Sequence, residues 1–413
     1  MTAPLRPKRP MAHRRAAPRP LALHLAAAAS IWTSSRNAWP LSSVGWRGWS
    51  PALAERAEAL ARELASADRE AIAATLDREE RRRLDAFLTG IENYRGHPHR
   101  RALADPPAVW REGTTRLLDY GGEGAGPPVF VVPSLVNKSY VLDLDDGVSM
   151  MRFLAGAGFR PFLVDWGAPD AAERAFTLTD YIAGRLVRAL EAAVAATGAR
   201  RLPLIGYCMG GNLTLALARL RPELASAVVF LATPWDFHVT TDGPSPVIAI
   251  CGRAIETTIA ALGELPIDML QGLFFALDPL QSWTKFRGFA GLDPTSEAAR
   301  RFAALEDWAN DGVALAGPVA RECLFGWYGD NTPAKGAWRV AGEAMRPEDL
   351  ALPTLHVIPA RDRIVPPESA RALAQATTGA EMLSPAAGHV GMAVGSRARR
   401  EVWEPVALWL RRL

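Results

Sequence analysis

The tightest constraint on this chain is the run Gly206-Tyr207-Cys208-Met209-Gly210-Gly211. An apolar stretch, Leu202-Pro203-Leu204-Ile205, leads into it, and a helical pattern from Leu213 to Leu220 leads out. A strand that becomes a helix within so few residues brings two backbones almost into contact. A Cβ at Gly206 or Gly210 would then collide with neighbouring main chain. Such a turn holds Cys208 at its apex. A thiolate is a strong nucleophile, and it exchanges acyl groups with thioesters at nearly even energy. That chemistry suits acyl transfer better than hydrolysis by water. The competing reading, a buried structural cysteine at a strand end, does not account for the glycine frame.

A nucleophile on a sharp strand-to-helix turn is the elbow of α/β-hydrolases, and the rest of the chain alternates accordingly. Val129-Phe130-Val131-Val132 and Phe162-Leu163-Val164 are fully apolar runs, as buried parallel strands require. Met150 to Ala155 forms the crossover between them, and Leu178 to Ala196 is a long amphipathic helix before the elbow strand. Ala227 to Leu231 and Leu355 to Ile358 supply further strands. The expected fold is a mainly parallel central sheet with helices on both faces and a helical cap, with ligands at the carboxyl ends of the strands. The core is expected over 116–235 and 346–413, with a tryptophan-rich cap inserted at 236–345. A helical region is expected over 51–115, where Asp77 to Arg83 reads as a solvated face of local ion pairs. Residues 1–50 read as a basic, largely disordered arm whose Trp32, Trp39, Trp46 and Trp49 give an apolar surface.

Composition narrows the partners. The net charge is +3 over 413 residues, which offers no electrostatic case for a nucleic-acid partner. The three cysteines, Cys208, Cys251 and Cys323, are widely spaced and form neither a disulfide framework nor a metal cluster. A reducing, cytoplasmic setting is the simpler reading. The basic stretch Arg6 to Arg19 followed by Leu21 to Ala29 has the order of an export signal, but its apolar part is short, alanine-rich and interrupted by His24. His97 and His99 lack metal-ligand company, and no metal site or cofactor is expected.

In this fold the nucleophile, acid and histidine follow in that chain order, each at the end of a different strand. Asp362 lies directly behind the Leu355–Ile358 run, and His389 follows Met382-Leu383. His389 is expected to take the Cys208 thiol proton, or to stabilise the thiolate as imidazolium, with Asp362 orienting the ring. Asp236, after the Ala227–Leu231 strand, is the competing acid. His356, inside a strand, reads as a packed core residue, and His238 as a surface residue near the cap. Backbone N–H groups should stabilise the oxyanion. One is that of Met209, and the second comes from Leu135 or Val136 after the Val129–Val132 strand.

With these residues in view, the chain resembles the poly(3-hydroxyalkanoate) synthases, from about Phe87 to its end. The resemblance rests on Leu88-Thr89-Gly90-Ile91, Tyr94-Arg95, His97-Pro98 and Arg116-Leu117-Leu118-Asp119-Tyr120. It continues through Pro133-Ser134-Leu135-Val136-Asn137-Lys138-Ser139-Tyr140-Val141-Leu142-Asp143-Leu144 and the Gly-x-Cys-x-Gly-Gly box. Leu305-Glu306-Asp307-Trp308-Ala309-Asn310-Asp311 is most similar to the two-subunit type. Arg363 departs from the histidine that commonly follows the family's acid. The resemblance implies an acyltransferase that polymerises hydroxyacyl groups from a coenzyme A thioester substrate through Cys208, with Asp362 and His389 as acid and base. It also implies a homodimer, a separate non-catalytic subunit as partner and a polyester granule surface as location. Water must be kept from the acyl-enzyme. Trp283, Phe286, Phe289, Trp308, Phe325 and Trp327 could serve that end or simply form cap core. A thioesterase, esterase or polyester depolymerase of the same fold stays open as the alternative, as does a non-catalytic granule protein. No local motif identifies the residues for the coenzyme A phosphates.

Overall fold

A computed structural model describes residue 15 and residues 18–42, 51–64, 66–122, 125–239 and 245–413. The chain divides into two compact units, one of Arg100–Asp278 with Ala304–Leu413, the other of the residues up to His99 with Pro279–Ala303.

The larger unit is built on an eight-stranded sheet. Its strands are β1 (Ala108–Glu112), β2 (Thr115–Asp119), β3 (Pro128–Val132), β4 (Arg160–Asp165), β5 (Leu202–Tyr207), β6 (Ala225–Leu231), β7 (Thr354–Val357) and β8 (Glu381–Leu383). Their spatial order is β1-β2-β4-β3-β5-β6-β7-β8. From β4 to β8 every neighbour runs parallel, and the β1–β2 and β2–β4 pairs are antiparallel. The central strands are apolar throughout because both faces are covered. Phe130, Phe162, Leu204, Val228 and Phe230 point into one core. Val131, Leu163, Ile205, Val229 and Val357 point into the other, as strict alternation demands. Met150, Met151 and Leu154 cover the second face together with Trp403, Val406 and Trp409, while Ile182, Leu186, Leu190 and Leu213 cover the first. The mainly parallel sheet with helices on both faces is thus the expected one. β1 escapes the sequence reading because Val-Trp-Arg-Glu carries too little apolar signal at an edge.

His356 sits in the middle of β7, 1% exposed, with its ring 4.8 Å from that of Phe230. Neither ring nitrogen has a hydrogen-bond partner among the described residues. Burial pushes its pKa down from 6.5 to about 4. Between those values the unfolded chain binds a proton that the folded chain refuses, so stability is complete above pH 6.5 and is lost as pH falls toward 4. Urea unfolding at pH 7 and pH 5 should show His356→Leu removing about 2 kcal/mol of the acid-dependent loss. An unchanged pH dependence would refute this.

The smaller unit is helical. α1 (Leu21–Ser42) lies within the arm expected to be largely disordered, and α2 (Pro51–Leu64) and α3 (Arg69–Gly96) follow it. Trp39, Trp46 and Trp49 lie outside the residues whose side chains are described. Asp68 caps α3, accepting from the N–H groups of Glu70 and Ala71. Phe87, Ile91 and Tyr94 of α3 form a core with Phe286 and Phe289. Those two come from Gln281–Ala290, inside the span expected to be cap. A Cβ on Gly90 would lie 1.9 Å from Phe286 O, which explains the glycine in Leu88-Thr89-Gly90-Ile91. Phe286 and Phe289 are therefore core residues of this unit, with Trp283 partly buried against them. Phe325, Trp308 and Trp327 pack in the cores of the larger one. The rest of 236–345 is mostly helical, with two short antiparallel ribbons that the sequence did not reveal, Glu264–Leu265 with Leu315–Ala316 and Arg339–Val340 with Glu343–Ala344.

Candidate active site

The elbow follows from its glycines. A Cβ on Gly206 would lie 2.4 Å from Gly211 Cα, and one on Gly210 would lie 2.2 Å from Val132 O and 2.8 Å from Pro133 C. These contacts are with main chain, which cannot step aside. Gly211 is pressed just as hard against the Thr233 side chain. With strand and helix so close, Cys208 takes φ 55° and ψ −129°, a left-handed backbone that non-glycine residues adopt at a cost. Gly210→Ala is expected to cost more than about 4 kcal/mol or to prevent soluble folding. Gly272→Ala, which meets nothing within 4 Å, should be neutral or mildly stabilising. Thermal unfolding of the two variants checks the pair.

Cys208 is partly buried at the junction of three apolar clusters, with its N–H donating to Leu231 O at 2.8 Å. The acid and the histidine reach it from the loops after β7 and β8. Those loops are zipped together by main-chain bonds, Ile358 N to Leu383 O, Ala360 N to Pro385 O and Arg361 N to Ala387 O, at 2.8–2.9 Å. The Asp362 carboxylate is buried; its Oδ1 accepts from the N–H groups of Ile364 at 2.8 Å and Val365 at 2.9 Å. His389 Nδ1 donates to Asp362 Oδ2 at 2.7 Å. The ring also shares a side-chain hydrogen bond with Cys208. Burial opposes a charge on His389, but the Cys208 and Asp362 charges and their hydrogen bonds outweigh it and push the pKa up to about 10. The surroundings of the ring therefore favour its protonated form.

The structure thus brings Cys208, His389 and Asp362 together. Asp236 is engaged elsewhere, its Oδ1 accepting from His238 N and from Asn331 Nδ2 at 2.9 Å each. His238 is exposed, with Nε2 2.9 Å from Tyr328 O. Arg363 donates to Asp278 Oδ2 at 2.7 Å. Among the described residues no group of three or more His, Cys, Asp or Glu could hold a metal ion.

A family model described as alpha/beta hydrolase fold matches residues 127–396, more than half of the chain. The chain belongs to that family. Within it, this α/β-hydrolase is similar to the poly(3-hydroxyalkanoate) polymerase subunit PhaC of Allochromatium vinosum, 29% identical over 73% of this chain and 87% of the relative. The PhaC subunit of Synechocystis is 28% identical over 79% of this chain and 90% of its own length. That of Haloferax mediterranei is 28% identical over 73% of this chain and 62% of its own length.

Met209 opens the helix Met209–Leu220, and the first N–H groups of a helix have no partner within it. Across from it, the Val136 N–H donates to Ser134 Oγ at 3.1 Å, so of the two loop candidates Leu135 has the freer N–H. Two residues near the site escaped the sequence reading. Tyr207 donates from its hydroxyl to His389 O at 3.3 Å and packs its ring 5.3 Å from the imidazole. Tyr328 has its hydroxyl raised above the ordinary phenol range, by burial first and then by the charges of Cys208, Cys323 and Asp362. Tyr207 was hidden because a tyrosine at the end of an apolar strand reads as core.

Proposed function

We propose that this chain is a polyhydroxyalkanoate synthase, an acyltransferase that polymerises (R)-3-hydroxyacyl-coenzyme A through an acyl thioester on Cys208. The observation that carries the reading is a cysteine at the elbow hydrogen-bonded to an imidazole that Asp362 holds from its far side at 2.7 Å, in a chain whose relatives are polymerases. The Cys208 thiolate attacks the thioester carbonyl, with the Met209 and Leu135 N–H groups stabilising the oxyanion. The intermediate collapses and expels coenzyme A thiolate, which takes the proton of His389. Acylation removes the sulfur's charge, one of the causes of the raised His389 pKa, while burial still disfavours the cation. The neutral ring then accepts the proton of an incoming hydroxyl on a second unit or chain end. That oxygen attacks the acyl thioester, an ester forms, and Cys208 leaves as thiolate beside a restored imidazolium.

An ester replaces a thioester in each cycle, so elongation runs downhill. Hydrolysis would end the chain, and the apolar clusters that converge on Cys208 limit access of water to it. The reading carries with it a separate synthase subunit, a homodimer and a cytoplasmic polyester granule surface as setting. Among the described residues no helix is long and apolar enough to cross a membrane. Incubation with 3-hydroxybutyryl-coenzyme A tests the proposal, alone and with a purified partner subunit. Free coenzyme A with polymer is the expected outcome. Free coenzyme A with monomeric acid would identify a thioesterase, and no release would identify a non-catalytic protein.

A further inference from the structure

Two segments far apart in sequence are bolted together beside the elbow. Trp308 Nε1 donates to Lys138 O at 2.8 Å, across 170 positions. Lys138 Nζ donates to Asp311 Oδ1 at 2.8 Å, and the Tyr140 hydroxyl donates to Asp311 Oδ2 at 3.2 Å. Burial and then the Asp311 charge keep that hydroxyl protonated and donating. Next to them Gly312 packs closely, since a Cβ would meet Ile267 Cδ1 at 2.3 Å and Asn137 Oδ1 at 3.0 Å. One end of one segment therefore braces Asn137, Lys138 and Tyr140. The loop they belong to begins at Pro133, against Gly210, and carries Leu135.

We infer that Asp311 is a positioning residue, whose carboxylate braces Lys138 and Tyr140 so that the Leu135 N–H faces the reacting carbonyl. The inference rests on the acyl-transfer reading for its kinetic consequence, and on the contacts alone for its structural one. A stability role does not explain the cluster. Lys138 and Asp311 are 38% and 48% exposed, and such pairs contribute little to folding. Their effect should fall on the geometry of the loop, where a donor displaced by a fraction of an ångström loses much of its worth to the transition state.

The test uses the full chain carrying Asp311→Asn, Lys138→Met, both together, or Lys138→Arg. Asp311→Asn and Lys138→Met should each lower kcat for coenzyme A release about tenfold, with KM within about twofold and Tm within about 2 °C. The double variant should be no worse than either single one, and Lys138→Arg should recover most of the rate. Hydrogen exchange in the peptide Pro133–Tyr140 should quicken about tenfold in Asp311→Asn, whatever the activity. Wild-type kcat in Asp311→Asn, or a loss of rate that merely follows a fallen Tm, would overturn the inference. So would unchanged exchange. If the unaltered chain releases no coenzyme A while the exchange difference stands, the bracing is upheld and the acyl-transfer reading fails.

Discussion

Replacing Cys208 with serine should slow coenzyme A release from 3-hydroxybutyryl-coenzyme A by about a thousandfold or more, while the protein stays folded. The substitution is nearly isosteric at a partly buried position, so the elbow keeps its glycine frame and its left-handed backbone. What changes is the acid–base partnership. A sulfur can rest as an anion against the protonated His389; an alcohol cannot, and at neutral pH it needs a neutral base to lose its proton. Serine also removes the sulfur charge, the first of the causes that raise the His389 pKa, so the thiolate–imidazolium pair that primes attack and protonates the departing coenzyme A is lost. The leaving step suffers as well, because an oxygen ester on the introduced hydroxyl would be no better an acyl donor than the polymer it should extend. Thiol release followed with a chromogenic disulfide, alongside turbidity for polymer, measures both. A serine variant as fast as the native chain would show that the thiolate is not essential, which is the behaviour expected of a hydrolase.

Asp362→Asn should lower kcat by about 10⁴-fold, with little loss of stability at neutral pH from the main-chain contacts. The amide oxygen can still accept from the Ile364 and Val365 N–H groups, so the loop after β7 keeps its turn. Toward His389 Nδ1 the variant offers an NH₂ donor where the carboxylate accepted at 2.7 Å. A neutral ring must then carry its proton on the nitrogen facing Cys208, where it cannot accept one from an incoming hydroxyl. The pH behaviour follows from the same contact. Losing the Asp362 charge removes one cause of the raised His389 pKa, so the alkaline limb of the pH–rate profile should move to lower pH. In stability, His389 of the native chain contributes fully below pH 6.5, and that contribution fades as pH rises toward 10. In Asp362→Asn the contribution should be smaller and the fading, still beginning near pH 6.5, should end earlier. A variant with the native rate and the native alkaline limb would exclude Asp362 from the proton path.

How far the sequence could be read depended on whether the cause was local. The elbow was legible because its glycines answer a collision among residues five or fewer positions apart, or with the adjacent strand. Asp362 and His389 were legible because each follows a short apolar strand, and parallel sheets gather such loops at one edge. The edge strand β1 was not, since Trp-Arg-Glu has no periodicity to distinguish it. The packing of Phe286 and Phe289 against Phe87 and Tyr94 was missed for a related reason: a helix shows which face is apolar, not which helix will cover it. The bond from Trp308 to Lys138 spans 170 positions and leaves no trace in either segment's own pattern. Their contact became visible only in the fold. The Val136 N–H, spent on Ser134 Oγ, is likewise a matter of one torsion that composition cannot reveal.

The most direct measurement is the intact mass of the protein quenched in acid within the first turnovers on 3-hydroxybutyryl-coenzyme A, followed by peptide mapping. The expected result is one or more hydroxybutyryl units on the peptide that carries Cys208, released by hydroxylamine and absent from Cys208→Ala. Turnover with no adduct on that peptide, or an adduct that persists in Cys208→Ala, would contradict acyl transfer through this sulfur.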